Sequence, residues 1–363
     1  MSDRPASPSL RPVTGSPREV EQLVGRWLSE QAPDALTVRT SGSTSGPKDV
    51  LLSAAAVRSS ATATLARIGG PGQWVLALPA HYVAGLQVIT RSVVSGSSPV
   101  LLDEHPDLAA ATEALTGPRR YLALVPTQLH RLLRSPREVE ALASYDCVLL
   151  GGSAAPLPLL KDAREVGVRV VTTYGMSETC GGCVYDGQPL DGVQVAVGGD
   201  GRIRISGPVL FSGYRGRPDL TAAATDGRWF VTSDLGSVGP DGRLTVRGRA
   251  DGMIISGGEN VAADEVAAVL AGCPGVREAA VVGCPDPEWG ELVTAVVVAQ
   301  DPDRPPELAA LREAVRAVLP AAAAPRALVL VAALPLLASG KPDRLAMTAL
   351  AARQMNGTDP GNR

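Results

Sequence analysis

Apolar residues recur along this chain first at helical spacing and then in short runs separated by helices. Val20, Leu23, Val24, Trp27 and Leu28 form the stripe of one amphipathic helix. Leu36 to Val38 reads as a short strand, and Ser53 is placed to cap an alanine-rich helix reaching about Ile68. Beyond it, Trp74–Leu78, Val100–Leu102, Tyr121–Val125, Val148–Leu150 and Val168–Thr172 read as strands, with helices after His81, through Leu133 and from Leu157. That alternation predicts parallel α/β layers.

Near residue 186 the texture changes. Short strands are punctuated by Gly199-Asp200-Gly201, Asp226-Gly227 and Asp241-Gly242, which predict antiparallel hairpins. From residue 251 the pattern becomes helix 264–271, strands near 276–283 and 291–299, helix 307–318, strand 327–331 and a final helix. The expected fold class is α/β. A Pro/Ser-rich, disordered start (1–17) precedes a large α/β domain with a small β-rich section (18–250) and a small mobile α+β domain (251–363). No internal repeat is evident.

Composition narrows the function classes. At 363 residues with 45% hydrophobic and 20% charged positions, the chain has the make-up of a globular protein with two or three cores. A net charge of −3 argues against a nucleic-acid or membrane-surface partner, either of which calls for a basic field. The first twenty residues have no apolar core of a signal peptide, and the longest apolar run, Ala327 to Ala338, is too short to span a bilayer. A cytoplasmic location is the expectation. Among five cysteines, Cys180 and Cys183 form a C-x-x-C without a second pair or histidines at zinc spacing, so they read as small buried residues beside a ligand pocket.

Of the 34 basic residues only Lys48, Lys161 and Lys341 are lysine, which leaves 31 arginines (34 − 3). Lys161 falls on a predicted helix. The other two sit in glycine-bearing segments, TSGSTSGPK (40–48) and LASGKPDR (337–344), where a compact ammonium suits an anionic ligand better than the guanidinium fork. TSGSTSGPK is not a Walker A loop, because the glycine spacing is wrong and Asp49 stands where Ser or Thr would meet magnesium. Its small residues still let backbone N–H groups approach phosphates while Lys48 neutralises charge.

TSGSTSGPK resembles the phosphate loop of the acyl-adenylate-forming superfamily. TYGMSET (173–179), WFVTSDLG (229–236), GRADGMIISGGEN (248–260) and PLLASGKPDR (335–344) follow in that superfamily's order. The resemblance implies an ATP-dependent acid–thiol ligase that uses Mg2+, with ATP, CoA and a carboxylic acid as small-molecule substrates. It implies that Ser41, Gly42, Ser43, Thr44, Gly46 and Lys48 hold the phosphates. Gly151, Gly152 and Ser153, with Tyr174, Gly175 and Ser177, would form the adenine site. Glu178 and Thr44 would meet the metal. Asp234, assisted by Arg249, would hold the ribose; Asp251 would be the hinge, and Gly257 and Gly258 would shape the thiolation channel. Lys341 would reach the α-phosphate, and His81, in LPAHYVAGL, would face the acid. Carboxylates at 178 and 234 suit a hard cation and a ribose diol respectively.

Only 39 residues precede the phosphate loop, far fewer than most superfamily members carry, so most of their N-terminal subdomain is expected to be missing. A homodimer covering the apolar surface this would expose is one arrangement left open. TYGMSETCGGCVYDGQPLDG (173–192) resembles the short 2-succinylbenzoate–CoA ligases, which implies that acid as substrate. Another aryl or fatty acid, a carrier-protein acceptor, or a non-catalytic nucleotide-binding relative are the alternatives. Glu178 and Lys341 speak against the last, since a binding protein needs neither a metal ligand nor a mobile lysine.

Overall fold

The structure, a computed structural model, describes residues 10–30, 35–40, 48–337 and 342–357, and among them four sheets organise the fold. The first sheet sets Leu10–Pro12, Ala35–Arg39, Asp49–Ser53 and Gly213–Tyr214 side by side. Here the expected disorder of residues 1–17 is corrected for 10–17, residues 1–9 lying outside the described residues. Leu10–Pro12 pairs in parallel with Ala35–Thr37, and Ser16 caps the helix Pro17–Ser29. The cause is local. The Ser16 N–H donates to the Glu19 carboxylate (2.7 Å), the Glu19 N–H donates back to the Ser16 hydroxyl, and Pro17 at the first helical position forfeits no hydrogen bond. The helix buries Val20, Val24, Trp27 and Leu28, the greater part of the apolar stripe.

The second sheet has seven strands, in the order Gln188–Pro189, Gly181–Tyr185, Val170–Met176, Cys147–Leu150, Arg120–Leu124, Gln73–Leu76, Val100–Leu101. The last five pair in parallel. Alternate side chains divide between two cores. Trp74, Leu76, Tyr121, Cys147 and Leu149 pack on one face, among residues of helices Ala54–Ile68 and Val83–Val94. Val75, Leu122, Leu124, Val148 and Leu150 pack on the other, with Leu129, Leu142 and Leu160. Burial on both faces is why these strands read as unbroken apolar runs. Helices Leu108–Glu113 and Pro136–Ala143 on that second face are new relative to the sequence pattern; at six and eight residues they are too short to display a period.

The third sheet is antiparallel, and each Gly/Asp turn closes a hairpin within it: Gln194–Val197 with Arg202–Ser206, Thr225–Asp226 with Trp229–Val238, and the latter with Leu244–Arg249. Sheet membership changes across the single turn Ala250–Gly252. The fourth sheet, with Met253–Ser256, Glu259–Ala262, Val276–Asp286, Gly290–Ala299 and Ala327–Leu330, packs against helices Ala263–Leu270, Leu308–Arg316 and Arg344–Gly357. Arg344 links the ends of this last unit: its guanidinium pairs with Asp264 and lies where a side chain on Gly252 would be. No described helix is long and apolar enough to cross a membrane.

Helix Val83–Val94 follows His81 and approaches the preceding turn so closely that a Cβ on Gly85 would stand 2.2 Å from the Pro79 carbonyl oxygen. Gly85→Ala must therefore shift backbone, at a cost of about 1–3 kcal/mol typical of overpacking. Denaturant unfolding should show a lowered midpoint with an unchanged slope; an unchanged midpoint would mean that the turn yields freely.

Candidate active site

The strand Val170–Met176 is the spine of the site. Its first half pairs in parallel with Cys147–Leu150 and its second half antiparallel with Gly181–Tyr185, so the TYGM segment is strand, where the sequence pattern ended the strand at Thr172. The reversal is made in one tight turn, Ser177–Thr179, after which Cys180 and Gly181 both adopt positive φ. The Thr179 hydroxyl staples the turn, accepting from the Met176 N–H (2.9 Å) and donating to the Gly181 carbonyl (2.7 Å). Gly175 is obligatory there, because its Cβ would fall 2.0 Å from that same carbonyl oxygen.

Two phenol–carboxylate contacts result. Tyr174 donates its hydroxyl to Asp234 Oδ2 (2.7 Å), joining the seven-stranded sheet to the antiparallel one. Asp234 is 9% exposed, and burial raises its carboxyl above the usual carboxylate range, a rise opposed by the Tyr174 hydrogen bond and by Arg249. Burial and the neighbouring carboxylate push the Tyr174 phenol well up, so it remains a donor. Arg249 sits directly across the strand pair from Asp234, with Nη1 3.7 Å from Oδ1, and makes a bidentate pair with Asp251 at 2.6 and 2.7 Å. That pair, partly offset by burial, raises the Arg249 guanidinium further.

The second contact is Tyr214 to Glu178. The phenol donates to Oε1 (2.8 Å), and the ammonium of Lys48 lies over the same ring, 5.2 Å from its centre. Lys48 ends TSGSTSGPK, the loop expected to take phosphates: its carbonyl accepts from the Thr40 N–H (2.8 Å), and its N–H donates to the Thr40 hydroxyl (3.1 Å). Ser41, Gly42, Ser43, Thr44 and Gly46, the rest of that loop, lie outside the described residues, as does Lys341.

At the C-terminal end of the neighbouring parallel strand, Gly151 packs so tightly on Thr173 that a Cβ would meet its hydroxyl at 2.3 Å. Gly152, at φ +85°, then turns the chain into exposed Ser153. These residues and Tyr174 thus lie at the carboxyl ends of adjacent strands, where open α/β sheets bind ligands. Ser177 opens the turn and its carbonyl accepts from the Cys180 N–H. His81 is exposed, its ring tilted against that of Tyr82 with 4.4 Å between centres. Gly257 and Gly258, both at positive φ, form the two-residue turn between Met253–Ser256 and Glu259–Ala262, in the other unit. Cys180 and Cys183 are buried, and desolvation pushes the Cys183 thiol up to about 12, so neither offers a thiolate.

Two residues that the motifs do not name stand out. Tyr214 belongs to FSGYRG, where the only cue is the scarcity of aromatics, 3% of the chain. Arg91, on helix Val83–Val94, is 4% exposed and stacks over Trp74 (5.1 Å). Its Nη2 donates to the Tyr185 hydroxyl (3.4 Å), it has no carboxylate partner among the described residues, and its Nε finds no acceptor. Burial lowers its guanidinium below the ordinary value.

Comparison with known proteins matches two family models, the AMP-binding enzyme over residues 30–215 and the AMP-binding enzyme C-terminal domain over residues 265–341. The chain belongs to the AMP-binding enzyme family. Among its relatives is a probable 2-succinylbenzoate–CoA ligase of Mycobacterium tuberculosis, 45% identical over 358 residues and spanning 94% of this chain and 93% of the relative. Among solved structures, the o-succinylbenzoate CoA synthetase of Bacillus subtilis in complex with the acyl-adenylate intermediate superposes with a TM-score of 0.73 at 30% identity, covering 86% of this chain and 68% of that one. The same enzyme in complex with ATP and magnesium ion gives 0.72 at 29%, covering 85% and 69%.

Because burial raises the Asp234 carboxyl, the folded chain holds its proton more tightly than the unfolded one. The associated stability is complete below the unfolded value and is lost as pH rises through the folded one. Asp234→Asn should therefore melt higher than the parent at neutral pH, with the gap closing as pH falls toward the ordinary aspartate range. A parent that is the more stable at neutral pH would refute this reading.

Proposed function

We propose that the chain is an ATP-dependent acid–CoA ligase of menaquinone synthesis, which activates 2-succinylbenzoate as its acyl-adenylate and transfers the acyl group to CoA. The observation that carries the acid assignment is the likeness to the mycobacterial ligase along nearly the whole of both chains. Attack of the acid's carboxylate on the α-phosphorus of ATP forms the mixed anhydride and releases pyrophosphate. The CoA thiol then attacks the acyl carbon and expels AMP. In the first step the protein's work is positioning and charge neutralisation.

The residues divide that work as follows. Tyr174, its hydroxyl tied to Asp234, is a ring of fixed orientation for the adenine, flanked by Gly151, Gly152 and Ser153. Asp234 retains acceptor capacity for the ribose diol, since a carboxylate offers about four lone-pair sites. Ser41, Ser43, Thr44 and Lys48 take the phosphates. Glu178 suits magnesium in the way nucleotide enzymes hold it, with one carboxylate and the substrate's own oxygens. No group of three or more potential ligands exists among the described residues to make an all-protein cage. When bound, the cation neutralises phosphate charge. Lys341 is delivered to the α-phosphate by the C-terminal unit, which pivots at Asp251, and Gly257-Gly258 lines the thiol's path afterwards.

Incubation with ATP, CoA and 2-succinylbenzoate should give the CoA thioester by mass; turnover only with another acid, or with a carrier protein, would displace the substrate assignment.

A further inference from the structure

Tyr214 touches the two oppositely charged groups on which nucleotide binding is proposed to depend, and the chain around it is built to hold it there. It lies on the short strand Gly213–Tyr214, paired antiparallel with Val50–Leu51 immediately after the phosphate loop. The Ser212 N–H donates to the Leu51 carbonyl (2.8 Å) and the Arg215 N–H to the Asp49 carbonyl (2.9 Å), fixing the segment to the loop's exit. On the other side, the Phe211 N–H donates to the main-chain carbonyl of Glu178 (2.9 Å). Gly213, at φ +136°, makes the bend that only glycine tolerates, and the Tyr214 N–H is satisfied by the Thr221 hydroxyl (2.9 Å). Phe211 packs edge-on against the Tyr214 ring, 5.0 Å between centres. The side chain is 8% exposed and so has little freedom to leave.

An ammonium and a carboxylate drawn into one small site tend to pair directly, and a direct pair would occupy the charge that each needs for its ligand. We propose that Tyr214 is a positioning residue that keeps Lys48 and Glu178 apart and aimed, its hydroxyl holding one Glu178 oxygen and its ring face holding the Lys48 ammonium. The contact is well suited to that work. The phenol is a neutral donor that holds the Glu178 Oε1 at 2.8 Å. It hydrogen-bonds the carboxylate without neutralising it, and the ring quadrupole attracts the ammonium without removing its charge. The Glu178 oxygen not taken by Tyr214 is left for the cation, and Lys48 is left for phosphate. This inference rests on the reading of Glu178 as the metal ligand and Lys48 as a phosphate ligand.

The test is calorimetric titration of the full chain with ATP, without acid or CoA so that nothing turns over, at high and low Mg2+. Tyr214→Phe keeps the ring and loses the hydroxyl. ATP affinity should fall about tenfold at low Mg2+, the scale of a lost hydrogen bond to a charged group, and recover at high Mg2+. Tyr214→Leu loses the ring as well and should bind ATP weakly at both. Tyr214→Phe combined with Glu178→Gln should be no weaker than Glu178→Gln alone, because the hydroxyl acts through that carboxylate. If Glu178→Gln shifts the Mg2+ dependence and Tyr214→Phe does not, the positioning role is overturned and the metal reading stands. If Glu178→Gln leaves the Mg2+ dependence unchanged, the metal reading itself is overturned and Tyr214 loses its role with it.

Discussion

One hydrogen bond holds the proposed nucleotide site in register. Tyr174 is on a strand of the seven-stranded sheet and Asp234 on a strand of the antiparallel one, and the 2.7 Å contact between them crosses from the first sheet to the second. Asp234 is in turn the cross-strand partner of Arg249, which grips Asp251 in the single turn where the chain passes to its last unit. The proposed aromatic platform Tyr174, the buried acceptor Asp234 and the proposed hinge Asp251 are therefore joined, through Arg249, in one chain of contacts. Loss of the phenol's proton donor would free the ring and leave a buried carboxylate with one partner fewer, a costly state in a low-dielectric setting.

The same device occurs twice. In a chain with six tyrosines, two of them donate to the two carboxylates that the motifs single out, and the phenol in each is held protonated by burial and by its acidic neighbour. A tyrosine orients a carboxylate without adding the compensating positive charge that an arginine or lysine would bring. The consequence is a site that opposes stability: Asp234 is buried beyond what its partners offset. Such a group is expected where ligands complete the charge balance.

Much of this is legible in the residues alone, for identifiable reasons. The parallel strands announce themselves because burial on both faces leaves them wholly apolar, and the hairpins because Gly-Asp turns leave little else to build. Tyr174, Glu178 and Asp234 can be named from their motifs. Their mutual arrangement cannot, because Tyr214 and Glu178 are 36 positions apart and meet only when FSGYRG is laid against the strand that follows TSGSTSGPK. Arg91 is one of 31 arginines until the fold buries it. The order at residues 10–17 is hidden by composition, since a Ser-Pro start reads as disorder unless the Ser16–Glu19 box is read with the helix that follows.

The central claim is that a fixed nucleotide platform is served by a cation delivered from elsewhere in the chain, Lys341. The direct measurement is single-turnover kinetics of each half-reaction in Lys341→Ala. The account predicts that adenylation falls about 10²–10³-fold, the loss expected for one preorganised donor to developing phosphate charge. CoA attack on chemically prepared 2-succinylbenzoyl-adenylate should keep close to its parental rate. Equal loss in both half-reactions would contradict a lysine that serves one step and then withdraws.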